Sequence, residues 1–387
     1  MHALVAAVAS VALALSAPAP TTSSIGVFAD QLPDGMPPTL LRFAATHYDG
    51  AQKLGRTTTL ALKRQNQHFF ALQYRLALGL GRTTQVRFGD AWQREWPARP
   101  RERWFFHVGG RRVLNKTWGW YLMNVDDGGW RSYYVAKLHQ QIRTTAADGA
   151  FLDSASMPSY FGAVWTPPLP AVDPVFEAGW SKRITRWLPT VQRRLGVPVV
   201  ANAGSWVTAR DRTDYSGVAG VMIEGFATSL GPADWQRELT RALSLVRKGK
   251  ILIAQSYPDA GDVQARMFDL ASYLLIKGAH TYVNFPQGIE VDWFPEYGID
   301  LGAAVDPAGL RQQDGAYVRR FAKGLVAVNP GDAPVTVQLD GTYESIVPHG
   351  GGRVPDSAAL PADWGLAETP VTGTLTLGPH QGAVLLH

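Results

Sequence analysis

A (β/α)8 TIM barrel carrying a small C-terminal antiparallel β-sandwich-like domain is the fold class predicted by this sequence of 387 residues. Two observations predict it. Eight apolar runs are separated by helical stretches, and crossover helices are what parallel strand pairing requires. From about Gly324 the pattern changes to period-two alternation broken by turns, with no helix between, as antiparallel strands require. Eight strand–helix units over roughly 300 residues suit a closed barrel better than an open sheet. No GxGxxG follows a strand, so a dinucleotide-binding sheet has no support.

Taken in order, the first apolar stretch stands apart from the rest. "LVAAVASVALALSAPAP" ends in small residues and prolines and is short for a membrane span. It suits the core of a signal peptide over residues 1–24, with cleavage near Ala17 or Ala19 and export to the periplasm or beyond. No other stretch reaches membrane length. The barrel is then expected over 25–323. "RFAATHYDG" and "HFFALQYRLALG" open it, joined by the helical "RTTTLALKRQNQ", and "TWGWYLMNVDD" makes a third run. "IGVFADQ" and "WFFHVGG" are also strand-like, which leaves the numbering of the early strands open.

"GAFLDS" is run four, followed by a long loop rich in proline and aromatics. Phe176, Trp180, Ile184, Trp187, Leu188, Val191 and Leu195 then form a stripe at helical period, closed by Gly196. "VPVVANAG", "GVMIEGF", "KILIAQSY" and "HTYVNFP" supply runs five to eight. Beyond them "GLVAVNPGD", "APVTVQLDG" and "TGTLTLGPHQGAVLLH" form the β domain, expected over 324–387.

Composition narrows the function. The 37 Lys and Arg against 32 Asp and Glu leave +5, but the arginines are scattered and no basic run interleaves with aromatics, which argues against a nucleic-acid partner. A mildly anionic substrate is compatible with that balance. The absence of cysteine removes disulfides, thiolate metal sites and cysteine nucleophiles together.

The strand ends carry the chemistry. Runs four to eight end in Asp153, Asn202, Glu224, Gln255 and Asn284. In a parallel barrel these ends converge on the face where active sites of this fold lie. One such residue is readily a structural cap; five in succession are more economically a site. Asp153 and Glu224 lie on alternate strands, which feed one interior layer, so both carboxylates are expected to point into one pocket. Two facing carboxylates are the apparatus of glycoside hydrolysis. The competing reading pairs them with arginines in a structural network, Arg75 on run two being available.

The 13 tryptophans fit a sugar, because flat rings stack on pyranose faces. Tyr74, Trp118 and Trp120 on or beside runs two and three, Trp165 in the long loop, Trp206 past run five and Trp293 past run eight are the candidate contacts, while Trp235 reads as core. "Asp126-Asp127-Gly128-Gly129" lacks calcium-loop spacing and reads as a rim loop in which Asp126 touches substrate. No HxH, HExxH or GxSxG motif occurs, so no metal, cofactor or serine nucleophile is called for.

"FAATHYDGAQK", "FFALQYRLALG", "DGAFLDS", "MIEGF" and "YVRRFAKGLVAVNP" together resemble a bacterial group known as hypothetical glycosyl hydrolase family fifteen. The likeness runs over most of the chain after residue 24. The group is similar to the α-galactosidase-type barrels, which include the endo-α-polygalactosaminidases. That resemblance implies a nucleophilic Asp ending strand four, corresponding to Asp153, and an acid/base ending strand six, corresponding to Glu224. The expectation is a secreted glycosidase acting by retention on α-linked poly- or oligosaccharide. The rival is a non-catalytic carbohydrate-binding protein, marked by a tryptophan-lined pocket lacking a carboxylate pair. A metal-dependent deacetylase or amidohydrolase would need a histidine cluster that the sequence does not contain.

Overall fold

A computed structural model describes residues 24–81, 97, 99–228 and 230–387. All of the expected signal peptide but Ser24 lies outside the described residues. Eight parallel strands form the barrel: β1 (Phe28–Ala29), β2 (Gly50–Gln52), β3 (Phe70–Leu76), β4 (Gly149–Asp153), β5 (Val199–Asn202), β6 (Gly220–Glu224), β7 (Ile251–Gln255) and β8 (Thr281–Asn284). They pair in sequence order, and a parallel bridge between Val27 and Val283 closes the ring from β8 back to β1.

Period-two alternation divides the strand residues between two cores. Phe28, Phe70, Leu72, Phe151, Val200, Met222, Ile251, Ile253 and Tyr282 point inward as one apolar cluster. Residues of the opposite parity pack outward beneath the helices. Gly50 is the small member of the inner layer, since a Cβ there would stand 2.6 Å from the Phe28 ring and 2.3 Å from the Phe70 carbonyl.

Six helices cover the outside: α1 (Pro38–His47), α2 (Arg56–Gln65), α3 (Gly128–Thr145), α4 (Pro174–Leu195), α5 (Pro232–Val246) and α6 (Val263–Ile276). Asp127 and Asp173 cap α3 and α4 by accepting two backbone N–H groups each. The expected α4 stripe is buried from Trp180 to Leu195, and Gly196 ends the helix in the left-handed region. Residues 203–219, between β5 and β6, contain no helix. Among the described residues no helix is long and apolar enough to cross a membrane.

Two early assignments differ from expectation. "RFAATH" belongs to α1, and strand one is supplied by "IGVFADQ". The run "TWGWYL" lies outside the barrel, in a small antiparallel sheet of Gly79–Gly81, Leu114–Asn115, Trp120–Leu122 and Trp165–Thr166. The cause is local. Asn115 Oδ1 accepts the N–H groups of Thr117 and Trp118, and Gly119 takes a positive φ, so the chain turns back as a hairpin. The two errors offset each other, and Asp153 and Glu224 end strands four and six as counted.

The C-terminal module is an antiparallel sheet that begins upstream of residue 324, with Gln312–Gln313 and β9 (Ala316–Phe321). β10 (Gly324–Asn329), β11 (Val335–His349), β12 (Gly365–Leu377) and β13 (Gln381–Leu386) complete it in the order β9-β10-β13-β11-β12. One face rests on α6. A Cβ at Gly382 of β13 would stand 2.6 Å from the Met267 carbonyl, so strand and helix backbones nearly touch. Arg319 of β9 donates to the Leu274 and Lys277 carbonyls at 2.8 Å each and satisfies the end of α6. The fully buried Arg266 of α6 pairs with Glu296 at 2.7 Å and donates to the Gly350 carbonyl at 2.9 Å. The opposite face carries its own apolar cluster, including Val318, Leu325, Val337, Tyr343 and Leu385.

Candidate active site

Two residues beyond an inward-facing residue, each barrel strand presents a polar side chain at its C-terminal end. Phe28 is followed by Asp30, Gly50 by Gln52, Leu72 by Tyr74 and Phe151 by Asp153. Val200 is followed by Asn202, Met222 by Glu224, Ile253 by Gln255 and Tyr282 by Asn284. A pleat repeats every two residues, so these eight side chains crown the apolar interior.

Asn202 is the centre of the crown. Its Nδ2 donates to Asp153 Oδ1 at 2.8 Å and to Glu224 Oε2 at 2.6 Å, while its Oδ1 accepts the Gly204 N–H at 2.9 Å. Both amide protons are therefore committed, one to each carboxylate. The Asp153 carboxylate also accepts the Tyr74 hydroxyl at 2.6 Å and the Ser154 N–H at 2.6 Å. Glu224 Oε1 accepts the Tyr257 hydroxyl at 2.8 Å. Burial and the nearby Glu224 charge push the Tyr257 phenol above its ordinary value, so it remains a donor. Beyond it, Asn284 donates to Gln255 Oε1 at 3.1 Å, and Gln255 Nε2 donates to the Tyr257 oxygen.

The opposite wall is ionic. Asp30 accepts Gln52 Nε2 at 2.6 Å and Lys53 Nζ at 2.7 Å, and the Lys53 ammonium lies 5.4 Å from the Tyr74 ring centroid. Arg75 takes no part. It is one residue out of phase with Tyr74, points away from the barrel interior, and donates to Gln141 at 3.0 Å over the Tyr134 ring. Among the described contacts Arg75 bonds to neither carboxylate.

Of the expected contacts, Tyr74, Asn202, Gln255 and Asn284 stand in the crown with Asp153 and Glu224. Trp118 is 73% exposed at the hairpin tip. Trp206, at φ 51° in the loop leaving β5, is half-buried with its ring edge-on to Tyr215. Trp293 is half-buried among Phe43, His47 and Tyr297.

Three expected contacts lie elsewhere. Trp120 and Trp165 are buried edge-to-face at 4.9 Å beneath the small sheet, and the Trp165 indole donates to the Pro158 carbonyl at 2.7 Å. Neither leaves a ring face for a ligand. Asp126 is bracketed by Arg131, Arg183 and Arg186 of α3 and α4, at 2.9–3.2 Å, and ties two helices together. Asp30, Gln52, Lys53 and Tyr257 are functional candidates that sequence reading missed. For the first two the signal was the same polar residue after a strand, on strands too short to register as runs.

Residues 63–325 match the model of a family described as hypothetical glycosyl hydrolase family 15. Similar solved structures include a maltogenic α-amylase from Thermotoga neapolitana, with 10% identity and TM-score 0.43, covering 94% of this chain and 98% of that one. An α-amylase from Malbranchea cinnamomea has 9% identity and TM-score 0.44, covering 93% and 96%. A GH36 α-galactosidase from Geobacillus stearothermophilus has 8% identity and TM-score 0.44, covering 94% of this chain and 56% of that one. No curated protein matches the sequence.

Proposed function

The chain belongs to hypothetical glycosyl hydrolase family 15 and is a glycoside hydrolase, and from that premise we propose that Asp153 and Glu224 cleave an α-linked poly- or oligosaccharide with retention. The observation that carries this reading is the single Asn202 amide bonded to both carboxylates. Two oxygens held by one nitrogen lie no further apart than the sum of the two contacts. Such a close approach of the nearest oxygens supports the shorter spacing of retaining enzymes.

In this mechanism Asp153 Oδ2 or Oδ1 attacks the anomeric carbon as Glu224 gives its proton to the departing oxygen. A covalent glycosyl–Asp153 ester forms and the glycosidic bond breaks. Glu224, now ionised, takes a proton from water, whose oxygen displaces Asp153 and restores both carboxyl groups. Tyr74 and Asn202 stabilise the Asp153 carboxylate before attack and after release. Gln255 and Asn284 line the mouth, and Trp118, Trp206 and Trp293 are the tryptophans left as candidates to stack on the sugar chain. Export through a signal peptide over residues 1–24 would bring the enzyme to extracellular or periplasmic polysaccharide.

Digestion of a glycan panel by wild type, Asp153→Asn and Glu224→Gln tests the assignment. Each variant is expected to lose about three orders of magnitude or more in turnover while its circular dichroism spectrum persists. Near-normal turnover in either, on a glycan that wild type cleaves, would sink the pair. Proton NMR of the first-formed product anomer is expected to report retention; an inverted anomer would make Asp153 a general base.

A further inference from the structure

Tyr257 reaches the crown from outside it, and the direction of its hydrogen bond is fixed by its neighbours. An amide nitrogen only donates and an amide oxygen only accepts. Asn284 Nδ2 donates to Gln255 Oε1 at 3.1 Å, so the group that Gln255 turns toward Tyr257 is its Nε2. The phenol oxygen therefore receives a proton from Gln255 and directs its own at Glu224 Oε1, 2.8 Å away. An ionised carboxylate only accepts, so the phenol that donates to it receives from Gln255 Nε2, and Gln255 and Asn284 are buried strand residues on β7 and β8. The other oxygen of Glu224 faces Asn202, whose two amide protons are already committed and which cannot accept one there. Tyr257 is thus, among the described contacts, the donor to Glu224 that Asp153 does not share.

We propose that Tyr257 is the positioning residue that sets the proton affinity of Glu224, holding its ionised form through an O–H bond oriented by Gln255 and Asn284. This rests on Glu224 being the acid/base of the proposed reaction. A donor aimed at a carboxylate favours the ionised form. Removing it therefore raises the pH at which Glu224 gives up its proton, and the alkaline limb of kcat/KM, which reports the acid of the free enzyme, moves up with it.

The test uses the full chain labelled with glutamate carrying 13C at the side-chain carboxyl. The Glu224 resonance is identified by its disappearance in Glu224→Gln, and its titration is followed in wild type and Tyr257→Phe. An upward displacement of about one pH unit is expected, the size of one hydrogen bond to a charged group. An unchanged or lower midpoint overturns the proposal, and needs no substrate to be known. The pH profile of kcat/KM on the glycan identified by the panel is then compared. An alkaline limb displaced by the same amount supports the role. A loss spread evenly over all pH values would make Tyr257 merely structural and overturn it. Retained activity in Glu224→Gln would instead overturn the acid/base assignment, and the proposal with it. Aryl glycosides whose leaving group needs no protonation provide the control, since on them the displacement is expected to vanish.

Discussion

Glu224 at the mouth of the barrel and Glu296 beneath the C-terminal module are both glutamates in polar surroundings, but their partners differ in charge. Glu296 meets the guanidinium of Arg266 in a pair with no exposure on either side. Asp126 likewise meets three arginines, and Glu177 meets Arg210 at 3.0 Å. Asp153 and Glu224 meet an amide, two phenols and a backbone N–H. Lys53, the cation of the mouth, is bonded to Asp30. A guanidinium supplies a full counter-charge, which at Glu296 works against the burial that raises its carboxyl; neutral donors orient a carboxylate without neutralising it. The pairing tells the two classes of acid apart where residue type does not.

That contrast breaks most visibly by exchanging losses. Arg266→Met leaves Glu296 buried without a counter-charge, which is expected to cost about 3–5 kcal/mol of stability. Turnover per folded molecule should persist, the reverse of Asp153→Asn. Urea denaturation alongside active-site turnover checks it, and a cost below about 1 kcal/mol would show that the pair holds nothing in place.

A smaller effect is expected at the bridge. Asn202→Ala removes one donor from each carboxyl group and leaves the two facing without a mediator. A loss of roughly ten- to hundredfold in kcat/KM follows, the worth of a hydrogen bond to a charged group. Steady-state kinetics at the pH optimum measures it, and an unchanged kcat/KM would reduce Asn202 to a spacer.

The smallest effect sharpens the comparison with a third kind of acid. Glu238 is fully buried on α5 with no salt-bridge partner among the described contacts, and its Oε2 accepts the Ala227 N–H at 2.8 Å. Burial pushes its carboxyl well above the ordinary range, and the backbone bond only partly opposes that. The folded chain thus keeps a proton that the unfolded chain releases, so stability falls as pH rises above the ordinary glutamate value. Glu238→Gln removes that loss. Its melting temperature is expected to exceed wild type by about 2 °C at pH 8 and to match it near pH 4. Calorimetry at the two pH values decides, and a uniform fall at both would mean that the carboxyl is held ionised.

How much of this was legible in the sequence follows from the same physics. Asp153, Asn202, Glu224, Gln255 and Asn284 could be read because β4 to β8 are apolar runs of four or five residues with a polar end. Asp30 and Gln52 obey the same rule, but their strands are two and three residues long and β2 contains a glycine. Tyr257 lies past its strand and reaches back, a geometry with no period. Trp165 and Asp126 were misread for the opposite reason. A tryptophan beneath a hairpin and one above a pocket look identical in sequence, as do an acid between helices and one on a rim. What separates them is the long-range pairing of Trp165 with Asn115 and of Asp126 with Arg183.

The spacing of the crown above its apolar layer bears on how such a chain diverges over generations. Each polar end stands one pleat above a residue such as Phe151, Met222 or Tyr282, and Tyr74 also lays its ring on Phe151. A substitution at the mouth leaves the volume beneath unchanged, whereas one in the layer below must be matched by its neighbours. Lineages are therefore free to try new crown residues one strand at a time, with the lower layer preserved as common inheritance. Asn202 is the exception: touching both carboxylates, it is the position at which descent should tolerate least.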